Sequence, residues 1–244
     1  MARSNLKPGT GPGRDELVED LMAIAAMQRH YAWKRDLVAP HLGKRILEVG
    51  CGTGLMLDQL RNRELLIGID RNVGCLKLAR ARVSGRPRVT LRHLDVLDPA
   101  VRRLRHYGLT GVLFANSLEL IEDDLMALRH AASVLAPGGK VVILTWALGT
   151  PPPVLRTTYG LRGYRPHSLR RLLVRTGFNC IAVHWVNLLG VLGWWLDRRV
   201  LGQHPLMGSE AFARRDRIIP LARLLDRITG PPRGRLLLAI GTRR

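Results

Sequence analysis

A short apolar strand followed by three alternate glycines constrains the fold of this chain more than any other stretch. Residues 45–49 (RILEV) are predicted to form a buried strand, and Gly50, Gly52 and Gly54 then turn the chain into a helix that begins near Leu55. Glycine suits such a turn because it tolerates positive φ angles and lets a ligand approach the backbone closely. The N–H groups at the start of the helix favour a negatively charged ligand group. The stretch therefore predicts an α/β fold with a ligand site at this turn.

An acidic residue after the second predicted strand indicates what kind of ligand binds. Residues 65–69 (LLIGI) read as a strand that ends at Asp70, twenty residues after Gly50. A carboxylate at that place can accept hydrogen bonds from both hydroxyls of a ribose. The dinucleotide fingerprint G-x-G-x-x-G needs a glycine where this chain has Leu55. The pair of features predicts an adenosine-containing ligand and disfavours NAD.

Five motifs along the chain resemble those of one family and follow each other in that family's order. They are residues 48–54 (EVGCGTG), 68–70 (GID), 94–96 (LDV), 116–119 (NSLE) and 135–140 (LAPGGK). Over about residues 30–180 the chain therefore resembles the class I, seven-stranded, Rossmann-like methyltransferases that depend on S-adenosylmethionine.

The resemblance implies an α/β fold, a Rossmann-like three-layer sandwich around a mostly parallel seven-stranded sheet. The Pro- and Gly-rich residues 1–13 are expected to be a disordered tail, and residues 14–244 a single domain. Within that domain we expect an N-terminal helical lid over residues 14–44 and a helical insert over residues 187–233, between strands six and seven.

Two local predictions concern where elements end. The helix after the glycine turn is expected over residues 55–63. A Pro-Gly-Gly turn at residues 137–139 is expected to end a helix over residues 124–135 before a strand over residues 140–146.

S-adenosylmethionine is the cofactor that the resemblance implies. Glu48 would face its ammonium group, Asp70 its ribose, and Asp95 with the backbone of Val96 its adenine amine; for Asp95 a helix N-cap is the structural alternative. Cys51 is expected to be only a small residue in the loop. The full set of expected cofactor residues is Glu48, Gly50, Cys51, Gly52, Gly54, Asp70, Arg71, Asp95, Val96, Asn116 and Ser117.

The residues that bind or activate the methyl acceptor are less well marked. Many relatives read N-x-L-E-H-I after strand four, and the histidine that can act as a base is Leu120 here. The catalytic residue is therefore unassigned, and the candidates, each of which also suits a surface or capping role, are Glu119, His167 and His204. The expected walls of the acceptor pocket are Tyr31, Trp146 and Tyr159.

The charge of the chain admits more than one interpretation. There are 39 Lys+Arg against 19 Asp+Glu, a formal net charge of +20, and residues 151–244 hold 17 arginines but four acidic residues. Codon bias together with a solvated surface is one explanation of the excess positive charge. A surface that attracts an anionic substrate, a membrane or nucleic acid explains the charge equally well. Residues 185–196 are mostly apolar and are followed by arginines, which fits a core or lid segment. The alternative is a peripheral membrane contact through residues 185–199.

Three cysteines without metal-ligand spacing predict neither a metal site nor a disulfide framework, and so favour the cytoplasm. The polar N-terminus does not resemble a signal peptide, and no stretch approaches the roughly 18 apolar residues that a membrane span needs.

The favoured function is methyl transfer to a small, hydrophobic, lipid-like or specialised-metabolite acceptor. RNA methylation is the first alternative, disfavoured because the base-stacking motif Asn/Asp-Pro-Pro-Tyr/Phe is absent at residues 116–119 (NSLE), which makes nucleic acid an unexpected partner. A non-catalytic, cofactor-binding partner subunit is the second alternative. The sequence leaves the acceptor, the methylated atom and the oligomeric state open.

Overall fold

Seven strands form one sheet in the part of the chain that the structure describes. This computed structural model describes residues 28–149, 162–189, 216–217, 219–226 and 233–244. The strands are β1 (Arg45–Val49), β2 (Leu65–Asp70), β3 (Val89–His93), β4 (Leu109–Ala115), β5 (Leu135–Trp146), β6 (Phe178–Val186) and β7 (Leu236–Arg243). Their spatial order is β3-β2-β1-β4-β5-β7-β6.

Helices connect the parallel strands and cover both faces of the sheet. They are α1 (Gln28–Val38), α2 (Leu55–Gln59), α3 (Val73–Arg82), α4 (Asp124–Val134) and α5 (Pro166–Arg175). Residues 216–217 and 219–226, in the region between β6 and β7, are also helical. Side chains fix two of the starts: Asn72 accepts the N–H of Cys75 across 3.0 Å, and Asp123 accepts that of Met126 across 2.8 Å.

The prediction of a mostly parallel sheet needs correction, because the sheet is mixed. Four neighbouring pairs (β1 with β2, β1 with β4, β2 with β3 and β4 with β5) are parallel. β7 runs antiparallel to both β5 and β6. In the spatial order β7 lies between those two strands, so its reversed direction makes both of these neighbouring pairs antiparallel.

The predicted turn at residues 137–139 lies inside a strand. β5 begins at Leu135, which pairs with Leu109, and its next pairing joins Lys140 to Gly111. Five steps on β5 therefore face two steps on β4, and the additional residues bulge out around Gly138, whose φ is +73°. The Pro-Gly-Gly sequence does mark a change of chain direction, but that change is a bulge within β5 and not a turn between a helix and a strand.

The helix predicted over residues 55–63 is also shorter than expected. It ends at Gln59, because Leu60 leaves the helical conformation with φ −82° and ψ 83°. The side chain of Leu60 is only 1% exposed, so its burial accompanies the change of direction.

Alternate residues of the buried strands feed two separate apolar clusters, one on each face of the sheet. Leu47 packs in a cluster that also contains Leu128 of α4 and Leu169 of α5. Ile46 packs in the other cluster, with Trp33 of α1. Strands buried on both faces explain why β1 and β2 read as nearly continuous apolar runs.

Several predicted segments lie wholly or partly outside the described residues. The tail over residues 1–13 does, and so do residues 14–27 of the N-terminal lid and most of the insert over residues 187–233. The lid, the insert and the division into domains therefore stay predictions.

Candidate active site at the carboxyl edge of the sheet

The glycine turn after β1 has the conformation that its sequence predicts. Gly50, Gly52 and Gly54 have φ angles of +69°, +52° and +78°. A Cβ atom on Gly50 would lie 2.6 Å from Cβ of Ser117, whereas one on Gly52 would meet no atom within 4 Å. The first position thus needs glycine for close packing as well as for its φ angle, and the second leaves the backbone open to a ligand.

The turn is tied to β2 through the backbone of Ile69 and the side chain of Asp70. The carbonyl oxygen of Ile69 accepts the N–H groups of Gly50 and Cys51 across 2.9 and 3.0 Å. The carboxylate of Asp70 accepts the N–H of Gly52 on Oδ2 and that of Asn72 on Oδ1, each across 2.8 Å. An ionised carboxylate has about four acceptor positions. Asp70 therefore keeps acceptor capacity for two further hydroxyl groups.

Glu48 is a buried acid with an oxygen that has no hydrogen-bond partner among the described residues. It is 2% exposed, and the unpartnered atom is Oε2. Burial raises the pKa of Glu48 well above its usual value and nearby Asp70 adds to the rise, while Lys34 and the backbone N–H of Leu57 oppose it. A buried oxygen of this kind is costly unless a donor or a cation reaches it.

Two further buried polar atoms near the turn also lack a partner in the described part of the chain. They are Oγ1 of Thr53 and Oδ1 of Asn116. Together with Oε2 of Glu48 they make a polar set that no described residue satisfies. Such a set fits a ligand that carries an ammonium group and other donors.

The segment after β4 closes this side of the site. Asn116 has a positive φ of 56°, and its N–H donates to the carbonyl oxygen of Leu144 across 2.7 Å. The hydroxyl of Ser117 donates to the carbonyl oxygen of Val49 across 2.6 Å. The first bond ties the segment to β5, and the second ties it to the end of β1.

Glu119 is a second buried acid, only 1% exposed. Its Oε1 accepts the amide of Asn116 across 3.1 Å, and its Oε2 accepts the hydroxyl of Thr145 across 2.8 Å. Burial raises the pKa of Glu119, and its hydrogen bonds and Lys34 oppose the rise. This candidate base is held firmly in place by its neighbours.

Lys34 of α1 is a functional candidate that sequence reasoning missed. Its side chain is buried, and Nζ lies 4.9 Å from the centroid of the Tyr31 ring. Burial lowers the pKa of Lys34 to about 8, and the charges of Glu119 and Glu48 oppose the fall. The available signal was a lysine three residues after Tyr31, on the apolar side of a helix, in a chain with five lysines and 34 arginines.

Tyr31, on the same helix as Lys34, lies near the buried carboxylate of Glu48. It is partly buried; burial and the charge of Glu48 raise the pKa of its phenol, and Arg82 opposes the rise. Tyr31, predicted as an acceptor wall, therefore lies with Lys34 close to Glu48.

The region between β6 and β7 supports α1 directly. Asp216 accepts the N–H of Arg29 across 3.2 Å and that of His30 across 2.8 Å, so it caps the start of α1. Arg223 pairs with Asp36 across 2.5 Å. The helix that carries Lys34 is thus held by residues almost at the other end of the chain.

Asp95 and Val96, the residues predicted to contact adenine, follow the carboxyl end of β3. The carboxylate of Asp95 accepts the N–H of Leu97 across 2.9 Å, which makes a local turn. The alternative role as a helix cap falls to Asp98, which precedes the 3-10 helix Pro99–Tyr107. Val96 is buried, and its carbonyl oxygen contacts Nδ1 of His130 across 2.7 Å.

The remaining predicted residues have varied positions. Cys51 is buried in the apolar cluster beside α1, as a small loop residue would be, and Arg71 is exposed. Trp146 is half-buried under the guanidinium of Arg235, 5.0 Å from the ring centroid. His167 is exposed on the first turn of α5. The candidates Tyr159 and His204 lie outside the described residues.

The described residues contain neither a metal-binding cluster nor a membrane-spanning helix. Among the described residues, no three His, Cys, Asp or Glu side chains lie close enough together to bind a metal ion. None of the helices in those ranges has the length and apolar character to cross a membrane.

Comparison with known proteins agrees with this geometry. The model of the methyltransferase domain family matches residues 24–183. A demethylmenaquinone methyltransferase of Clavibacter sepedonicus is 31% identical over 152 residues, which are 62% of this chain and 59% of that protein. The chain spans between 7% and 59% of the length of the curated relatives it matches.

Solved structures share the fold. The methyltransferase in complex with the Trm112 activator of Haloferax volcanii has a TM-score of 0.65 and 16% identity, with 94% of this chain and 97% of that chain covered. Geranyl diphosphate C-methyltransferase of Streptomyces coelicolor, solved with S-adenosyl-L-homocysteine, has a TM-score of 0.59 and 17% identity, with 86% and 77% covered. The glycine turn, the acids around it and the matching family model together identify the chain as a member of the class I S-adenosylmethionine-dependent methyltransferase family.

Proposed function

We propose that this methyltransferase binds S-adenosylmethionine at the turn over residues 50–54 and methylates a small apolar or amphipathic acceptor. The observation that carries the proposal is the unpartnered Oε2 of Glu48 beside the open backbone of Gly52. A buried carboxylate oxygen in a polar lining fits the ammonium group of an amino acid. The free acceptor capacity of Asp70 fits the two hydroxyls of a ribose.

Different residues would bind different parts of the cofactor. Glu48 and Asn116 would hold the amino acid end, Asp70 the ribose, and Asp95 with Val96 the adenine. When bound, S-adenosylmethionine supplies an electrophilic methyl group on its sulfonium. The protein therefore mainly has to align the acceptor and keep water away from it.

An isoprenoid or other apolar acceptor is the class that we propose to test first. Tyr31 and Trp146 both pack at the apolar cluster beside α1, which gives this side of the site aromatic walls. Demethylmenaquinone and geranyl diphosphate, after which one relative and one structural neighbour are named, are both isoprenoids.

For a hydroxyl acceptor, Lys34 is the group that we propose as proton acceptor. It makes no ion pair with a carboxylate in the described ranges, and burial lowers its pKa to about 8, so the neutral amine that can accept a proton forms as the pH approaches that value. The proton of the acceptor hydroxyl would pass to Nζ of Lys34 as the oxygen attacks. Both carboxylate oxygens of Glu119 accept hydrogen bonds, from Asn116 and Thr145. Glu119 would therefore orient those two residues and, through its charge, raise the pKa of Lys34.

The test is transfer of label from methyl-tritiated S-adenosylmethionine to a panel of isoprenoid alcohols, quinols and aromatic hydroxyl compounds. We expect label in the organic phase with equal release of S-adenosylhomocysteine from wild type and none from Asp70→Ala. Asp98→Ala, which removes an exposed acid that caps a 3-10 helix, is the matched control and should stay active. Label transfer that Asp70→Ala leaves unchanged would contradict the proposal.

A further inference from the structure

A second cavity opens at the carboxyl edge of the sheet, beyond the site described above. We call it the β5–β6 cavity; its volume is about 460 Å³, within the usual range for small-molecule sites. Four parts of the chain meet there: the exit from β5, the start of α5, the end of β6 and the entry to β7. Its lining residues are Leu148, Gly149, Arg165, Pro166, His167, Trp185, Arg233 and Gly234.

The described lining combines positive charge with apolar surface, and none of its residues is acidic. Arg165 and Arg233, 68 positions apart in the sequence, both reach the cavity, with His167 beside them. Neither arginine makes an ion pair within the described ranges. Two guanidinium groups balance the charge of about −1.5 to −2 on a phosphate monoester, whose oxygens suit their forked donors. Trp185 and Leu148 supply the apolar part.

The strand that leads into the cavity, β5, also contacts the buried acid Glu119. Thr145 donates its hydroxyl to Glu119, and Leu148 follows only three residues later along the same chain direction. Three extended residues span about 10 Å. Leu148 donates its N–H to Tyr164 across 2.8 Å, and Tyr164 in turn donates to Trp146 across 2.9 Å, so the cavity wall is fastened to the end of β5.

We propose that the β5–β6 cavity binds a phosphate group on the methyl acceptor. This inference rests on the proposed function. It narrows the acceptor class to phosphorylated amphiphiles, whose apolar part lies along Trp185 and Leu148 towards the methyl-transfer site. The two arginines hold the phosphate and set the distance between that group and the methylated atom.

Octyl phosphate, octanoate and octanol, used below the concentrations at which they aggregate, test the proposal by calorimetric titration in the presence of saturating S-adenosylhomocysteine. We expect saturable binding of octyl phosphate, weaker binding of octanoate and none of octanol. Arg165→Gln and Arg233→Gln should each weaken the binding of octyl phosphate at least tenfold. Arg170→Gln, which removes an exposed arginine of the same helix that does not line the cavity, should leave it unchanged.

Three results would overturn the proposal. One is no binding of octyl phosphate, and another is equal weakening by Arg170→Gln, which would indicate general surface attraction. The third is retention on phosphatidic acid vesicles through the same two arginines without binding of dispersed octyl phosphate, which would assign a membrane headgroup instead. Titration of each variant with S-adenosylhomocysteine separates failure of this inference from failure of the cofactor site.

Discussion

The backbone N–H of Gly52 donates a hydrogen bond to Oδ2 of Asp70 across 2.8 Å. The glycine turn and the acid after β2, which are 18 residues apart, therefore form one structural unit. A change in either should alter both the shape of the turn and the binding of a ribose, because the same carboxylate serves both.

Glu48→Gln is predicted to stabilise the protein without cofactor while weakening the site. Burial raises the folded-state pKa of Glu48 above its unfolded-state value, so stability falls as the pH rises through that folded-state pKa. Glutamine removes this loss. Chemical denaturation should show the variant more stable than wild type at pH 8, with a smaller difference at pH 5, and titration should show weaker binding of S-adenosylmethionine. If wild type is more stable than Glu48→Gln at pH 8, burial of the Glu48 carboxylate does not destabilise the protein and the prediction is wrong.

Gly50→Ala and Gly52→Ala should destabilise the protein by different amounts. Both residues have positive φ angles, which cost a non-glycine residue roughly 1–2 kcal/mol. Only Gly50→Ala also brings a Cβ to 2.6 Å from that of Ser117, so its loss in urea denaturation should be the larger. Measured against the Ser117→Gly single variant, which itself loses the hydrogen bond to Val49, the added loss from Gly50→Ala should come closer to that of Gly52→Ala. Equal losses in the two single variants would show that the contact has no cost.

The strands and the cofactor turn were predictable because they depend on local patterns. Short, largely apolar segments of five residues, 45–49 and 65–69, marked β1 and β2, and the alternate glycines marked the turn between strand and helix. The bulge in β5 was not predictable, since the Pro-Gly-Gly signal at residues 137–139 also fits a turn. Only the pairing of Leu135 with Leu109 places it inside a strand.

Asp216→Ala should affect the site from a distance. It removes the acceptor of two N–H groups at the start of α1, and loss of such a cap costs about 1 kcal/mol. Asp226→Ala is the matched control, because Asp226 accepts two N–H groups from Asn187 and Leu188 instead. Both variants should lose similar stability in thermal denaturation, but only Asp216→Ala should raise the KM for the cofactor or acceptor. An equal change of KM in both would mean that α1 has no special role.

Lys34 should control the pH dependence of methyl transfer to a hydroxyl acceptor. Its pKa of about 8 means that the neutral amine, which can take a proton, forms as the pH rises through 8. The kcat of wild type is expected to rise with a midpoint near that pH, and Lys34→Met should lose the rise. Lys34→Arg keeps the charge but cannot release its proton, so it should be inactive although folded. An unchanged pH profile in Lys34→Met would exclude this role.

The cofactor side of the site was accessible from sequence motifs, but the acceptor side was not. Glu48, Gly50 and Asp70 each occupy a fixed place relative to a strand end. Lys34 comes from α1 and the β5–β6 cavity from four separated segments, so their positions depend on tertiary packing that short patterns do not encode.

Calorimetric titration of the protein with S-adenosylhomocysteine tests the central claim most directly, with Asp70→Asn and the control Asp98→Asn measured alongside. Hydrogen bonds to a charged group contribute about 1.5–3 kcal/mol each, so we predict saturable binding to wild type that Asp70→Asn weakens at least tenfold. Asp98→Asn should bind as wild type does, because Asp98 is exposed and caps only the 3-10 helix. No binding by folded wild type, or binding that Asp70→Asn leaves intact, would contradict the proposed cofactor site.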